Sequence, residues 1–440
     1  MADRKLRILL ISPKGVFLCR SPEFNEFMNN SRDMQTILHF WSGIGVALPT
    51  LAALTPAEHE VVIIDENMEP IPFDHACDIV GITAMTQQAV RAYEIADEFR
   101  KRGRHVVLGG IHATVMPHEA VTHADTVVVG EAENIWPQFL TDFAEGNPKP
   151  VYNQTDFPSV DMSRIPLPRY DLIAKYRYPV VYVQATRGCP HDCEFCVATN
   201  IYGKKYKHKT VDQMVKEVQE VKRLWKYAQI GFADDNMFVD HRYSRALVAE
   251  MKKLKVAWLA LCDVTVGQDE EFLRALYESG CRILIIGFES ISKANLHSLN
   301  SDQWKENRVH LYSEYINRIQ SNGVGVYGSF ILGMDEDQPS TVDETLKFIA
   351  DNNILGANLS ILTPFPGSRL RKRLEGENRI LHSDWERYTL WNAVIRHPRF
   401  TSEELEKGLL RAYKGVYNAE SNERRAHYFR RVFENLLNTG

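Results

Sequence analysis

From Leu6 to about Val151 short apolar runs alternate with stretches whose apolar residues recur at helical spacing. "LRILLIS", "HEVVIIDE", "CDIVGIT", "RHVVLGG" and "DTVVVGE" predict strands, and "QQAVRAYEIADEFRKRG" between the third and fourth predicts a helix that Gly103 stops. Strand, helix and parallel strand in repetition is the doubly wound, Rossmann-like pattern of an α/β domain, whose ligands sit beyond the carboxyl ends of the strands. Those ends read "ITAMT", "GGIHAT" and "GEAEN".

Residues 151–179 hold four prolines and no periodicity, so they are expected to link a first unit, 1–150, to a second, 180–367. There the strands are "VVYVQAT", "AQIGFAD", "VAWLALC", "RILIIGFES", "VGVYGSFILG" and "NLSILTPF", with helices opening at Thr210 and Ser340 as N-caps. Six strand and helix units predict a partial parallel barrel of the TIM type, in which the loops after the strands carry the chemistry. Residues 368–440 are expected to be a small helical C-terminal region, with helices over "DWERYTLWNAVIRHPRF" and "NERRAHYFRRVFENLL".

Composition narrows the class. A net charge of -5 over 440 residues leaves no basic excess to neutralise phosphates, so nucleic acid is not the expected partner. Thr36 to Thr55 is twenty residues without a Lys, Arg, Asp or Glu, which is long enough to span a membrane. His39, Gly43, Gly45 and Pro49 and the strands on either side argue instead for a buried crossover helix, and no transmembrane segment is expected. The N-terminus reads as an opening strand and not as a signal peptide, which makes the cytoplasm the expected location.

Three of the seven cysteines, Cys189, Cys193 and Cys196, lie within "QATRGCPHDCEFCVATN", in the loop after the first barrel strand. Zinc normally takes two pairs of ligands, and there is no second pair; a redox dithiol needs only Cys193 and Cys196. The third reading is an iron-sulfur cubane with one iron left open. Cys19, Cys77, Cys262 and Cys281 are scattered and read as inert thiols, of which Cys262 alone ends a barrel strand. "GVGVYG" leads into a strand and "HEAVTH" spaces its histidines five apart, so neither a dinucleotide loop nor a zincin helix is expected.

The CxxxCxxC spacing, with Phe195 just before the last cysteine, resembles the radical S-adenosylmethionine (SAM) superfamily. The resemblance implies a 4Fe-4S cluster on Cys189, Cys193 and Cys196, its fourth iron chelated by SAM, with Phe195 near the adenine. "IGFADDNMF" resembles the segment that holds the amino group of SAM, which places Asp234, Asp235 and Asn236 there, and "GFES" adds Glu289 and Ser290.

A doubly wound domain ahead of such a barrel resembles the cobalamin-binding radical SAM enzymes, in the branch of hopanoid, lipid and natural-product methylases. It implies cobalamin over the strand ends, near Thr83, Met85, Gly109, Gly110, His112, Thr114, Gly130 and Glu131. The loop "ISPKGVFLCR" lacks the Asp-x-His-x-x-Gly pattern that ligates cobalt, which fits a cofactor without a protein histidine below it as well as no cofactor at all.

The chemistry implied is reductive cleavage of SAM, hydrogen abstraction from an unactivated carbon and methyl transfer from cobalamin, with flavodoxin or ferredoxin as reductant and a small molecule or lipid as substrate. Radical cyclisation, rearrangement, oxidation or transfer of another SAM-derived group, with cobalamin unused or absent, is the alternative, and a non-enzymatic iron-sulfur sensor is a second. No acid or base is assigned.

Overall fold

The computed structural model describes residues 5–15, 21–41, 43–299 and 303–439, so Cys19 lies outside the described residues. The first sheet has six parallel strands, β1 (Arg7–Ser12), β2 (Glu60–Asp65), β3 (Ile79–Thr83), β4 (His105–Gly109), β5 (Thr126–Val129) and β6 (Val151–Asn153), in the order β2-β1-β3-β4-β5-β6. Strands covered on both faces read as continuous apolar runs, as "RILLIS" and "IVGIT" do. The order reverses between β1 and β3, and Thr83 and Met85 lie at the mouth of that crevice.

The second sheet follows β7 (Val180–Val183) with a two-residue antiparallel ribbon, β8 (Thr186–Arg187) and β9 (Lys207–His208), that flanks the cysteine loop. β10 (Gln229–Phe232), β11 (Trp258–Cys262), β12 (Cys281–Glu289), β13 (Gly325–Leu332) and β14 (Gly356–Ile361) then join β7 in sequence order, all parallel, as a six-stranded partial barrel. Thr210 caps the helix Val211–Leu224 through a reciprocal bond with Gln213. Ser340 precedes the helix Thr341–Asp351, but it is already helical and its hydroxyl makes no cap bond.

Three expectations are corrected. Residues 151–153 do not open a linker; they pair with β5, and a strand of three residues is too short to show a period. Thr36–Thr55 is not one helix, since Arg32–Trp41 and Ala47–Leu54 are separate helices broken near Gly43 and Gly45. A Cβ at Gly43 would stand 3.2 Å from the Val180 carbonyl, so the break lets this segment lie against β7. Among the described residues no helix is long and apolar enough to cross a membrane.

Residues 384–400 are not helical beyond the turn Trp385–Arg387. They form a strap anchored by Leu381 N–H donating to the Val394 carbonyl, and by Arg396 N–H donating to that of Arg379. Its aromatics, spaced like a helix face, serve two neighbours instead. Trp385 packs against His112 at 5.3 Å and donates to Glu119 at 2.8 Å, on the first domain, while Trp391 meets Phe24 at 5.6 Å. The helices Arg369–Gly376, Ser402–Val416 and Ala419–Thr439 complete the C-terminal region.

Replacing Trp385 with Ala empties a buried aromatic site, a change that typically costs about 3–5 kcal/mol. Amide exchange is expected to accelerate over residues 379–396 and 117–123 while β10 and β11 keep their protection. Unchanged exchange in the strap would show that Trp385 does not anchor it.

Candidate functional site

The cysteine loop leaves the end of β8, and every residue before Cys189 is held. Gly188 sits at φ +88°, where a Cβ would stand 2.5 Å from the Lys205 carbonyl, so only glycine brings the loop over β9. Its N–H donates to Asp235 Oδ2 at 3.1 Å, which ties the loop to the end of β10. Cys189, Cys193 and Cys196 are all partly exposed, and the Cys196 N–H donates to the Cys193 carbonyl at 3.1 Å. Burial pushes the Cys189 thiol up to about 12 and the Cys196 thiol to about 11. These thiols hold their protons until a metal displaces them.

Among the described residues no three His, Cys, Asp or Glu side chains converge as around a single ion. A cubane takes each thiolate on a different iron, and three soft donors in one loop fit three of its corners.

The residues between the cysteines are gripped from outside the loop. His191 Nε2 is 3.1 Å from Asp263 Oδ2, just past β11, and its ring lies 4.0 Å from that of Trp304. Glu194 accepts from Arg373 Nε at 2.7 Å, and its backbone takes the N–H of Leu370 and donates to the Leu299 carbonyl. Arg369 meets the Asp192 carboxylate at 2.7 Å, so the helix Arg369–Gly376 braces the loop through two arginines one turn apart. Phe195 packs with this brace, beside Leu299, Met334, Leu362 and Leu370.

The acceptors expected after β10 point different ways. Asp234 is only 1% exposed and faces the Ala185 N–H at 3.3 Å, and burial pushes its carboxyl up to about 7. Asp235 faces Gly188 and the cysteines; burial raises its carboxyl, and the Gly188 bond and the Arg187 charge only partly offset this. A buried carboxylate with one donor fits a bound ammonium. Asn236 instead bonds Asp263 at 2.8 Å. Burial would raise the Asp263 carboxyl, but the bonds from His191, Thr265 and Asn236 hold it well below the usual range.

At the end of β12 a bulge puts Glu289 at φ +64°, with its carboxylate 2.7 Å from Lys305 Nζ. Burial works against the Lys305 charge, but the Glu289 carboxylate more than restores it. Ser290 Oγ accepts from the Ser292 N–H at 3.1 Å. A cavity of about 430 Å³ lies past the end of β11, lined by Asn236, His241, Asp263 and Gln268 among others, and Cys262, the last residue of that strand, is part of its lining.

The first domain brings its strand ends to the same place. Met85 is 52% exposed, and a Cβ at Gly109 would meet nothing nearer than 3.8 Å, so side chains do not crowd this end of the crevice, which is compatible with a macrocycle face there. Thr83 lies against Gly110, which sits at φ +87°. The other expected residues are engaged within the protein. Thr114 Oγ1 donates to the Gly110 carbonyl and accepts from the Gly130 N–H at 3.0 Å. The His112 ring is buried between Tyr93 and Trp385. Glu131 accepts from Arg187 at 2.9 Å and from Lys207 at 2.7 Å, on the barrel's ribbon, and Arg187 also meets Glu133 at 2.5 Å.

Sequence reasoning missed Arg187, Glu133, Asp263, Lys305 and Arg373. Only Asp263 carried a signal, being the residue that directly follows a barrel strand.

Two family models match, the Radical SAM superfamily over residues 183–349 and the B12 binding domain over residues 36–140. Bacteriochlorophyllide d C-8(2)-methyltransferase of Chlorobaculum tepidum is 32% identical over 407 residues, 89% of either chain. Hopanoid C-2 methylase of Rhodopseudomonas palustris is 26% identical over 86% of this chain and 72% of its own. Among solved structures, the radical SAM methyltransferase TsrM of Kitasatospora setae, with cobalamin and a 4Fe-4S cluster bound, superposes with a TM-score of 0.65 at 16% identity. It covers 94% of this chain and 85% of its own.

Replacing Cys189, Cys193 and Cys196 together with Ala should abolish the brown chromophore and bound iron of anaerobically reconstituted protein; iron retained in the triple variant would place the cluster elsewhere. A second test concerns Asp234, whose folded carboxyl lies at about 7 and whose unfolded one lies near 3.9. Below the unfolded value both states are protonated, so the cost of burying the charge is absent; it grows as pH rises through this window and is constant above it. Asp234→Asn should therefore melt higher than the parent at pH 8 and alike at pH 4. Parallel melting curves across that range would show that Asp234 is not buried as a charge.

Proposed function

The chain belongs to the cobalamin-binding radical SAM enzymes, and on that premise we propose that it is a C-methyltransferase acting on an unactivated carbon of a lipid, tetrapyrrole or other natural-product substrate. The observation that carries the reading is the meeting of two strand-end sites: the cysteine loop after β8 and the β5 end of the first sheet are joined through Arg187. When bound, the cluster supplies an electron that cleaves SAM to a deoxyadenosyl radical, and cobalamin carries the methyl group for the substrate.

In this reading the protein's own groups bind and orient. Cys189, Cys193 and Cys196 hold the cluster. Asp235 accepts the methionyl ammonium, and Glu289, held by Lys305 at 2.7 Å, faces the rest of SAM together with Ser290. Phe195, fixed by the Arg369–Gly376 helix, takes the adenine edge. Thr83, Met85 and Gly109 face the macrocycle, while Gly110, Thr114 and Gly130 shape the loops beside it. The strap that carries Trp385 covers His112 and Glu119 of the first domain and helps exclude water from a radical. We place the enzyme in the cytoplasm, where thiols stay reduced.

Anaerobic turnover with methyl-deuterated SAM tests the reading. Each methylated product should accompany one deoxyadenosine and one S-adenosylhomocysteine, because one SAM is spent on the radical and another on methylating cobalt. Deoxyadenosine without the homocysteine product or deuterium in the substrate would exclude methylation and leave cyclisation, rearrangement or oxidation. For SAM itself, Asp235→Ala should weaken binding at least about tenfold, the worth of one charge-assisted bond, while leaving the cluster spectrum intact. Unaltered affinity would remove Asp235 from the site.

A further inference from the structure

The cysteine loop has an outer side as well as an inner one, and the outer side carries exposed cations. Asp192, directly before Cys193, is met by Lys204 at 3.1 Å and Arg369 at 2.7 Å, whose side chains are 59% and 50% exposed. Lys205 is exposed, and its carbonyl rests on Gly188, the residue before Cys189. Lys372 is exposed three residues after Arg369 on one helix, hence on the same face. Two of these cations thus pair with the carboxylate beside Cys193, and the other two adjoin them, one as the next residue and one a helical turn on. The inner side is lined by Asp235 and Asp263 and by the first domain, so the outer side is where an external group can reach the loop.

A chain of net charge -5 repels an acidic protein at long range except where such a rim attracts it. We propose that Lys204, Lys205, Arg369 and Lys372 form the docking surface for the enzyme's electron donor, a small acidic one-electron carrier of the flavodoxin or ferredoxin kind. The inference rests on the radical reading above, in which each SAM cleaved takes one electron. A flavin hydroquinone donor is oxidised to the semiquinone, the sulfonium carbon–sulfur bond breaks, and methionine and a deoxyadenosyl radical remain. Opposite charges at the rim set the rate and specificity of encounter, and this attraction weakens with salt.

The test uses the cluster-loaded full chain, a bacterial flavodoxin as probe, and the double variant Lys205→Glu with Lys372→Glu, which leaves the loop's own bonds to Lys204 and Arg369 in place. The dissociation constant for flavodoxin should rise at least about tenfold at low ionic strength, and the difference should shrink as salt increases. Flavodoxin-driven deoxyadenosine formation should fall in step, while dithionite-driven formation stays within about twofold of the parent. An unchanged dissociation constant, or an equal loss with both reductants, would overturn the docking surface. Failure of the parent chain to form deoxyadenosine with dithionite would overturn the radical reading instead, so the two failures are distinct.

Discussion

A buried guanidinium is tolerable only where carboxylates surround it, and Arg187, 7% exposed, has two that come from the other domain. Glu131 and Glu133 follow β5 of the doubly wound sheet, and Arg187 ends the ribbon strand that launches the cysteine loop. Lys207 on the facing ribbon strand supplies a second cation to Glu131, and Gln184 accepts from the Arg187 Nε at 2.9 Å. Removing one partner from such a set leaves an uncompensated buried charge, which typically costs about 3–5 kcal/mol. The network therefore fixes the register between the two halves more firmly than apolar contact, which tolerates sliding.

The rest of the site depends on that register. Gly188 continues from Arg187 and bonds Asp235, so the end of β10 is aligned with the cysteines by the same peptide. His191 carries the alignment to Asp263 beyond β11, and Glu194 to the helix after β14. The strap closes the circuit by returning from that helix to Glu119 on the first domain. A cluster loop held at its start by one domain and along its length by the ends of several barrel strands is preorganised before any cofactor arrives.

Much of this was legible in the chain. All eleven expected strands formed, because buried parallel strands are continuous apolar runs flanked by turn residues. The cysteine spacing carried the family resemblance, and the radical SAM family model matches across it. What escaped was of two kinds. Residues 384–400 carried helical spacing of aromatics, but those rings pack on separate neighbours, Trp385 on His112 and Trp391 on Phe24, a tertiary demand that local period cannot reveal. The bond from Arg187 to Glu131 was hidden too, because a carboxylate at a strand end looks the same in sequence whether or not it meets an arginine 56 residues away. Lys305 was invisible for the same reason, since its partner Glu289 lies across a bulge and a helix.

The central claim is that the Arg187 network, and not the chain connection, holds the cysteine loop against the first domain. Hydrogen exchange on the full chain carrying Glu131→Gln with Glu133→Gln tests it most directly. The account predicts that residues 186–196 and the ends of β4 and β5 lose protection together, while the centres of both sheets keep theirs. Loss confined to residues 130–134, with the cysteine loop as protected as before, would contradict it.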